Sequence, residues 1–391
     1  MGFTLLITAL SIEMYFMLNA FWTKAVINYT ETPQTHFRDS DKTYNFFLTN
    51  VNEFPNYLAT ITGGFRCALA NLIAFSAIIG RAGPLEALFV VIFGTIGYEL
   101  NRQIIENYTN DSGGSSSIFV FGGFFGLVIG LFRFLKERMN ENNTIQHENY
   151  TASRSSASFA LIGTVLTWIF FPILAIDYID TSITSTSPYT GFYSVIFALC
   201  AATLTSFMVS PIFNNGILIR DIIYGPIAGG VASVTASYWV VNPVYALVIG
   251  VVSALIQVVI MNLVEKKFAR EKNIFHSYSF TLFGGQGLVG AIFASIWNAA
   301  IRSNTYGFSY NFNTNQVFSW IISLISLPMG LLFGVLAGFF IFIVGTHRRE
   351  DHFDDLTYWV NDDGIRFFRE GQQPQQIEAD IGVRERSIHV K

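Results

Sequence analysis

Ten runs of predominantly apolar residues constrain this chain more than any other feature. Each is close to the ~20 residues that a helix needs to cross the hydrocarbon core of a bilayer. Backbone polar groups inside lipid must be satisfied within the segment, which favours helices. The sequence therefore predicts an all-α, polytopic transmembrane helix bundle with about ten spans. The runs are residues 2–23, 56–80, 84–105, 115–135, 157–177, 190–214, 222–240, 243–264, 277–300 and 316–345.

The composition agrees with a membrane bundle. Charged residues make up 13% of the chain, about half the share usual in a soluble domain. The 39 Phe and 32 Gly suit a bundle in which aromatic rings fill space and glycines let helix backbones approach closely. A net charge of -4 gives no support for a nucleic-acid partner. Cys67 and Cys200 fall inside apolar runs, which indicates packing residues and no disulfide framework.

Basic residues are concentrated in alternate connections, which predicts the orientation in the membrane. Cytoplasmic loops carry an excess of Lys and Arg, so we expect both the amino terminus and the tail to be cytoplasmic. Residues 1–346 then form the transmembrane domain and residues 347–391 a cytoplasmic tail. The opposite side holds the sequon at Asn28, a glycosylation candidate that favours the plasma membrane. The basic connections hold Arg81; Arg133, Lys136, Arg138 and Arg154; Arg220; Lys266, Lys267, Arg270 and Lys272; and Arg348 and Arg349.

Motifs for catalysis or cofactor binding are weak. The six histidines include no pair at a metal-ligand spacing on a predicted helix, and Ser115–Ser117 have no neighbouring base. Gly285, Gly287 and Gly290 match a dinucleotide-binding spacing, but they lie inside an apolar run and indicate helix packing. We therefore expect no enzyme activity, no metal and no cofactor.

Charged residues in or beside lipid are costly and must face protein or water. Arg66 paired with Glu13 or Glu99 is the structural interpretation, and a transport role is the alternative. Asp111 precedes Gly113 and Gly114, whose backbone N–H groups its carboxylate would cap. These three residues are expected to form the scaffold of a pore mouth.

The segment DSGGSSSIFVFGGFFGL, from Asp111 to Leu127, resembles a stretch of the Rhesus (Rh) glycoproteins, relatives of the Amt ammonium transporters. Further Rh-like segments follow the same order and together cover about residues 1–360. They are GRAGPLEALFVVIFGTIGYELNRQII, ending near Asn101; ASFALIGTVLTWIFFP, with Trp168, Phe170 and Pro172; IAGGVASV; LFGGQGLVGAI; and FDDLTYW in the tail.

The resemblance implies a homotrimer in which each protomer has a narrow pore lined by two hydrogen-bonded histidines. Phe119 and Phe283 stand at those two histidine positions. Phe93 matches the first gating phenylalanine of the family, and Leu174 aligns with the second. Trp168 is expected to belong to the vestibule scaffold with Asp111, Gly113 and Gly114. The family has twelve spans, so two amino-terminal spans are missing either from this sequence or from the protein.

The two phenylalanines leave two functions open. A phenyl ring offers no hydrogen bond, so ammonia passing it would lose roughly a few kcal/mol, and no proton relay remains. One hypothesis is a degenerate Rh protein that does not conduct ammonium and serves as a membrane scaffold. Other membrane or submembrane proteins would bind through its tail, residues 347–391, or through the loop 136–156. The alternative is a functional channel for ammonium, ammonia or a gas such as CO2. An open tube with polar contacts at its centre would favour transport, whereas rings of Phe93, Phe119 and Phe283 in mutual contact would favour the first hypothesis.

Overall fold

The computed structural model describes residues 2–30, 57–80, 82–108, 114–140, 154–176, 188–237, 242–267, 279–301 and 324–344. All of them belong to the first of two compact units, Met1–Thr144 with Ala152–Thr346. The second unit, Ile145–Thr151 with His347–Lys391, lies outside the described residues, as does the predicted tail.

The described residues are helices joined by turns, and none of them forms a strand. Two short π-helical segments, π1 (Ser115–Val120) and π2 (Phe280–Gly285), lead directly into α4 and α9. The helices are α1 (Gly2–Thr30), α2 (Tyr57–Phe75), α3 (Pro84–Tyr108), α4 (Phe121–Asn140), α5 (Arg154–Ile176), α6 (Pro188–Phe213), α7 (Ile219–Ala236), α8 (Pro243–Lys267), α9 (Gln286–Ile301) and α10 (Ser326–Val344).

With π1 counted with α4 and π2 counted with α9, the described elements correspond one to one with the ten predicted spans, and the all-α prediction is confirmed. Among the described residues, seven spans are long and apolar enough to cross a membrane: those in α1, α3, π1–α4, α5, α6, α8 and α10. Shorter apolar segments occupy α2 and π2–α9. A helix needs about 20 apolar residues to span the lipid core by itself. The shorter segments therefore rely on packing against neighbouring helices to stay within the core.

The packing repeats along the chain. In the first set of four, α1 packs on α2 and α3, and α2 packs on α3 and α4. In the second set, α6 packs on α7 and α8, and α7 packs on α8 and α9. Helix α5 lies against α6 and α7, and α10 lies against α3 and α4. The segments π1–α4 and π2–α9 therefore occupy equivalent places in the two sets.

Small residues set the distance between α4 and α10. Gly330, Gly334 and Gly338 recur every fourth residue of α10, and a Cβ built on each would lie within about 2.8 Å or less of α4 atoms. Small residues at this spacing let two helices approach until their backbones nearly touch. Phe121 and Phe125 of α4 belong to the buried core that results.

Two details differ from the sequence-based expectations. The run 56–80 is helical only to Phe75, and the chain then turns through Gly80 at a φ of 78°, a left-handed conformation that glycine tolerates best. Glu99 pairs with Arg102 on its own helix, with Nη2 and Oε1 2.7 Å apart, a contact that was not predicted from the sequence; the pairing of Arg66 with Glu13 or Glu99 stays a prediction. Residues one turn apart on a helix meet without any tertiary requirement.

Candidate functional site

The two positions that the resemblance predicts to replace pore histidines lie on the two π-helical segments. Phe119 is in π1 and Phe283 is in π2. A π-helical turn contains more residues than an α-helical turn and is often found at functional sites. Both segments also precede the helices that occupy equivalent places in the repeat. Phe119 and Phe283 therefore approach the same point from the two halves of the repeat.

The rings of Phe119 and Phe283 stack. Their centroids are 5.9 Å apart and their planes differ by 11°. Phe119 is only 1% exposed, whereas Phe283 is partly buried. An offset stack at this distance is a favourable aromatic arrangement. The candidate pore centre is therefore occupied by carbon, with no side-chain donor or acceptor on either ring.

Glycines bring the two π-helical segments together. A Cβ added to Gly123 would lie 2.5 Å from the backbone N of Gly284, and one added to Gly287 would lie 2.8 Å from a methyl carbon of Val120. The two contacts are equivalent under the repeat. Because any side chain at Gly123 would collide with backbone, glycine is required there for the two rings to meet.

Helix α5 supplies the third side of the site. Phe171 is 2% exposed, and its ring lies 6.0 Å from that of Phe119 at 50°. Leu174 is buried in the same core cluster, and Trp168 is half-buried against it. The structure thus brings Phe119, Phe283, Leu174 and Trp168 into one cluster.

Phe93 takes a different place. Its ring stacks on Phe340 of α10, with centroids 5.1 Å apart and planes at 26°. Phe340 also stacks on Phe89. The ring contacts of Phe93 involve neither Phe119 nor Phe283, although Phe93 packs at the edge of the same cluster. Of the three rings expected to meet in a closed centre, only Phe119 and Phe283 do so. A gating role for Phe93 would have to act from the α3–α10 interface.

The predicted pore-mouth scaffold is described only in part. Asp111 and Gly113 lie outside the described residues. Gly114 has a φ of 69°, which glycine adopts without strain, and it opens π1. Next to it, the Ser115 hydroxyl donates a 3.0 Å hydrogen bond to the Val231 carbonyl oxygen, which ties π1 to α7.

The other site predictions have mixed outcomes. The backbone of Asn28 lies in the last turn of α1. The helix-packing interpretation of the glycine motif is confirmed, because a Cβ on Gly290 would lie 2.5 Å from the Ala232 carbonyl oxygen. Within the described ranges, no group of three His, Cys, Asp or Glu side chains is placed to hold a metal ion.

Sequence reasoning missed Phe171 and an internal repeat. Residues 115–126, SSSIFVFGGFFG, align with residues 279–290, SFTLFGGQGLVG. The alignment superposes Phe119 on Phe283, Gly123 on Gly287 and Gly126 on Gly290. Gly126 packs on Ala74 as Gly290 packs on Ala232. The shared pattern of Ser, Ile or Leu, Phe and two glycines was the signal that could have revealed the repeat.

Known proteins with the same organisation are ammonium transporters and Rh proteins. Residues 10–356 match the model of the Ammonium Transporter Family. The chain is 27% identical to ammonium transporter Rh type B of Danio rerio over 75% of this chain and 66% of that protein. It is 27% identical to ammonium transporter Rh type C of Homo sapiens over 76% of this chain and 65% of that protein. The chain thus spans just under two thirds of the length of these relatives.

Solved structures of the same fold come from bacteria and yeast. Rh50 of Nitrosomonas europaea, described with the mechanism of conduction by the Rhesus protein family of channels, superposes with a TM-score of 0.61 at 23% identity, covering 85% of this chain and 80% of that one. Mep2 of Saccharomyces cerevisiae superposes with a TM-score of 0.58 at 15% identity, covering 81% and 72% of the two chains. The family match over most of the sequence and the shared fold lead to one conclusion: the chain is a multi-pass integral membrane protein of the Ammonium Transporter Family, of the Rh/Amt type.

Proposed function

We propose that this protein keeps the Rh scaffold with a centre closed to ammonium, and that it serves as a structural subunit in a membrane. The observation that carries the proposal is the stack of Phe119 on Phe283. Both rings pack in a cluster with Phe171 and Leu174, so the closure does not rest on one rotamer.

The chemistry of the rings supports closure to the ion and to its neutral form. A cation entering an apolar constriction without a counter-charge or hydrogen bonds pays a large desolvation cost. Ammonia would escape the charge penalty but would still lose its hydrogen bonds beside Phe119 and Phe283. Phenyl rings also cannot exchange a proton, whereas imidazole can at neutral pH.

The alternative function is transport of ammonium, ammonia or a neutral gas. Its support is family membership, since the relatives are named ammonium transporters, and the partial exposure of Phe283. A nonpolar gas such as CO2 needs no hydrogen bond in an apolar constriction. It is therefore the solute for which the phenyl pair is least obstructive.

Assembly and orientation belong to the same proposal. We propose a trimer with a cytoplasmic tail in the plasma membrane, on the resemblance to Rh proteins and the basic connections. We expect one face of α5 to contact another protomer or lipid, because six large apolar side chains are exposed on this helix. They are Phe159, Ile162, Val165, Leu166, Ile169 and Ile173. Other membrane or submembrane proteins would bind through the tail.

The experiment is a pair of flux measurements on liposomes that contain the purified full chain. Internal pH is followed by a trapped dye after rapid mixing with an ammonium salt, and separately with CO2. A scaffold gives the rate of protein-free liposomes for both solutes. A gas channel accelerates only the CO2 response, and an ammonium response above the protein-free rate overturns the closed centre.

The scaffold role is tested separately by purification from native membranes in a mild detergent. Native mass spectrometry should then show the protein in a stoichiometric complex with other membrane proteins. If it occurs only as its own oligomer, the scaffold role is wrong even when the centre is closed.

A further inference from the structure

Two glutamine side chains meet between α8 and the junction of π2 with α9. Gln257 and Gln286 are 0% and 1% exposed, and Nε2 of Gln286 donates a 3.2 Å hydrogen bond to Oε1 of Gln257. Glutamine is mostly an exposed residue in folded proteins. A fully buried pair of amides on two different helices therefore requires an explanation of its own.

Two of the four polar atoms in the pair are unused. Nε2 of Gln257 and Oε1 of Gln286 have no hydrogen-bond partner among the described residues. Buried polar side-chain atoms in native proteins are nearly always hydrogen-bonded, either to protein or to an ordered water molecule. The pair therefore requires a partner that the described residues do not supply.

The unused atoms are one donor and one acceptor whichever way the amides are turned. The N and O atoms of an amide exchange places when the group turns over. Turning both amides would still form one hydrogen bond and leave one N–H group and one carbonyl oxygen unused. Turning only one would bring two donors or two acceptors together, which forms no hydrogen bond. The requirement for a partner that both donates and accepts thus follows from the two residue types and their contact.

The unused donor and the unused acceptor are close to each other. Within one amide, the C=O and C–N bond lengths place N and O about 2.3 Å apart, and the two amides are in contact at 3.2 Å. The unused atoms are therefore at most about 8 Å apart. One or two small molecules bridge such a span with hydrogen bonds of about 2.9 Å.

Hydrogen-bonding capacity determines the class of molecule that fits. A cation such as ammonium only donates, so it would leave the N–H groups of Gln257 without an acceptor and bring its charge towards their positive ends. An anion would be repelled in the same way by Oε1 of Gln286, which has only lone pairs to offer. A neutral molecule that donates and accepts satisfies both atoms. Water and ammonia are small molecules of this class.

The pair lies one helical turn from the phenyl stack along the chain. The backbone N–H of Gln286 donates to the carbonyl oxygen of Phe283. The next residue, Gly287, packs against Val120 of π1, which follows Phe119. The amide of Gln286 is therefore attached to the same part of the fold that brings the two rings together.

We propose that the Gln257–Gln286 pair is a binding site for a small neutral molecule that both donates and accepts hydrogen bonds, either water or ammonia. The site is formed by the two amides alone. It is present whether or not the phenyl pair closes the centre, so its test is independent of the proposed function.

The first test is a pair of high-resolution cryo-electron microscopy maps of the full chain in lipid nanodiscs, one without ammonium and one with an ammonium salt at alkaline pH. We expect a density peak within about 3.2 Å of each unused atom. Ordered amides with no such peak in either map would overturn the site. The matched control is Gln257→Met/Gln286→Met, which removes both amides at similar volume and should lose the peak. The two wild-type maps decide the question even if this variant does not fold.

Solid-state NMR of the same preparation distinguishes ammonia from water. The chain carries ¹³C-labelled glutamine, the solute is ¹⁵N-ammonium, and the ¹⁵N–¹³C coupling to the side-chain carbonyl is followed as pH rises at constant total ammonium. Bound ammonia gives a coupling that grows with pH and is lost in the methionine variant, whereas a density peak without any coupling identifies water. A coupling that depends on the two glutamines but weakens as pH rises would mean that the pair binds the cation, and it would overturn the inference.

Discussion

The centroid of the Phe119 ring lies 5.9 Å from the centroid of the Phe283 ring, and the two ring planes are 11° from parallel. The contact joins two π-helical segments that occupy equivalent places in a repeated set of helices. The resemblance to Rh proteins predicts that both residues stand at pore-histidine positions. On that prediction, this stack puts two phenyl rings where the family has two hydrogen-bonding imidazoles. The predictions below test the backbone fit, the charges and the rings of this arrangement.

Gly123→Ala should destabilise the fold. The added Cβ would lie 2.5 Å from the backbone N of Gly284, and backbone cannot move aside as a side-chain tip can. Overpacking of this kind costs about 1–3 kcal/mol. The control is Gly163→Ala in α5, where a Cβ meets nothing within 4 Å and helix propensity favours alanine by up to about 1 kcal/mol. Thermal unfolding midpoints in detergent should fall for the first variant and stay or rise for the second.

Glu86→Gln should destabilise the fold by about 3–5 kcal/mol, since it leaves the charge of Arg133 buried without its carboxylate. The two side chains are 2% and 4% exposed, with Nη1 and Oε1 2.6 Å apart. Glutamine keeps an oxygen for the backbone N–H of Gly83, which now donates to Oε2 of Glu86 at 2.8 Å. The measurement is the free energy of unfolding in a denaturing-detergent titration.

The matched control for this ion pair is Glu86→Gln combined with Arg133→Met, which removes both charges. We expect the double variant to be more stable than Glu86→Gln alone, because the uncompensated charge is gone. Additive losses would mean that Arg133 is stabilised by groups other than Glu86.

The Phe119 and Phe283 rings should be energetically coupled. Stacked aromatic pairs contribute about 0.5–1.5 kcal/mol beyond the area they bury. A double-mutant cycle with Phe119→Leu and Phe283→Leu should therefore give a coupling free energy in that range. A cycle of Phe119→Leu with Phe93→Leu is the control, because the ring contacts of Phe93 do not include Phe119, and it should give a value near zero.

Asn28 tests the predicted orientation. If the amino terminus is cytoplasmic, Asn28 is on the outer side, and expression in cells with a secretory pathway should produce a glycosidase-sensitive mobility shift. Thr30→Ala breaks the sequon while keeping Asn28 and should abolish the shift. A topology reporter on the tail reads the orientation independently of the sequon. A tail reporter on the outer side would contradict the predicted orientation.

The spans could be predicted because long apolar runs have one stable solution in lipid. The ten predicted runs correspond to ten helical elements, and the family resemblance located Phe119 and Phe283. The helix ends were less predictable: hydropathy alone gave no reason for α2 to end at Phe75 or for α7 to begin at Ile219. The turn through Gly80 follows the end of α2, and the buried carboxylate of Asp221 lies in the first turn of α7. Both are local features that hydropathy does not register.

Contacts between distant side chains were beyond sequence reasoning. Phe171 reads as one of several aromatic residues in an apolar run, and only the packing of α5 on α7, where Phe171 contacts Gly230, brings it to Phe119. Arg133 reads as a loop base, yet it is buried against Glu86 because α4 continues past it to Asn140. Nε2 of Gln286 donates a hydrogen bond to Oε1 of Gln257, and that contact depends on which faces of α8 and α9 meet, which periodicity does not give.

The most direct measurement of the central claim is ammonium-induced pH change in liposomes that contain the wild type, a Phe119→His/Phe283→His variant or a Phe119→Leu/Phe283→Leu variant. The leucine variant removes the rings without adding hydrogen bonds or a proton relay. We predict a wild-type rate equal to that of protein-free liposomes, an accelerated rate for the histidine variant and none for the leucine variant. A wild-type rate well above that of protein-free liposomes would contradict closure of the centre by the phenylalanine pair.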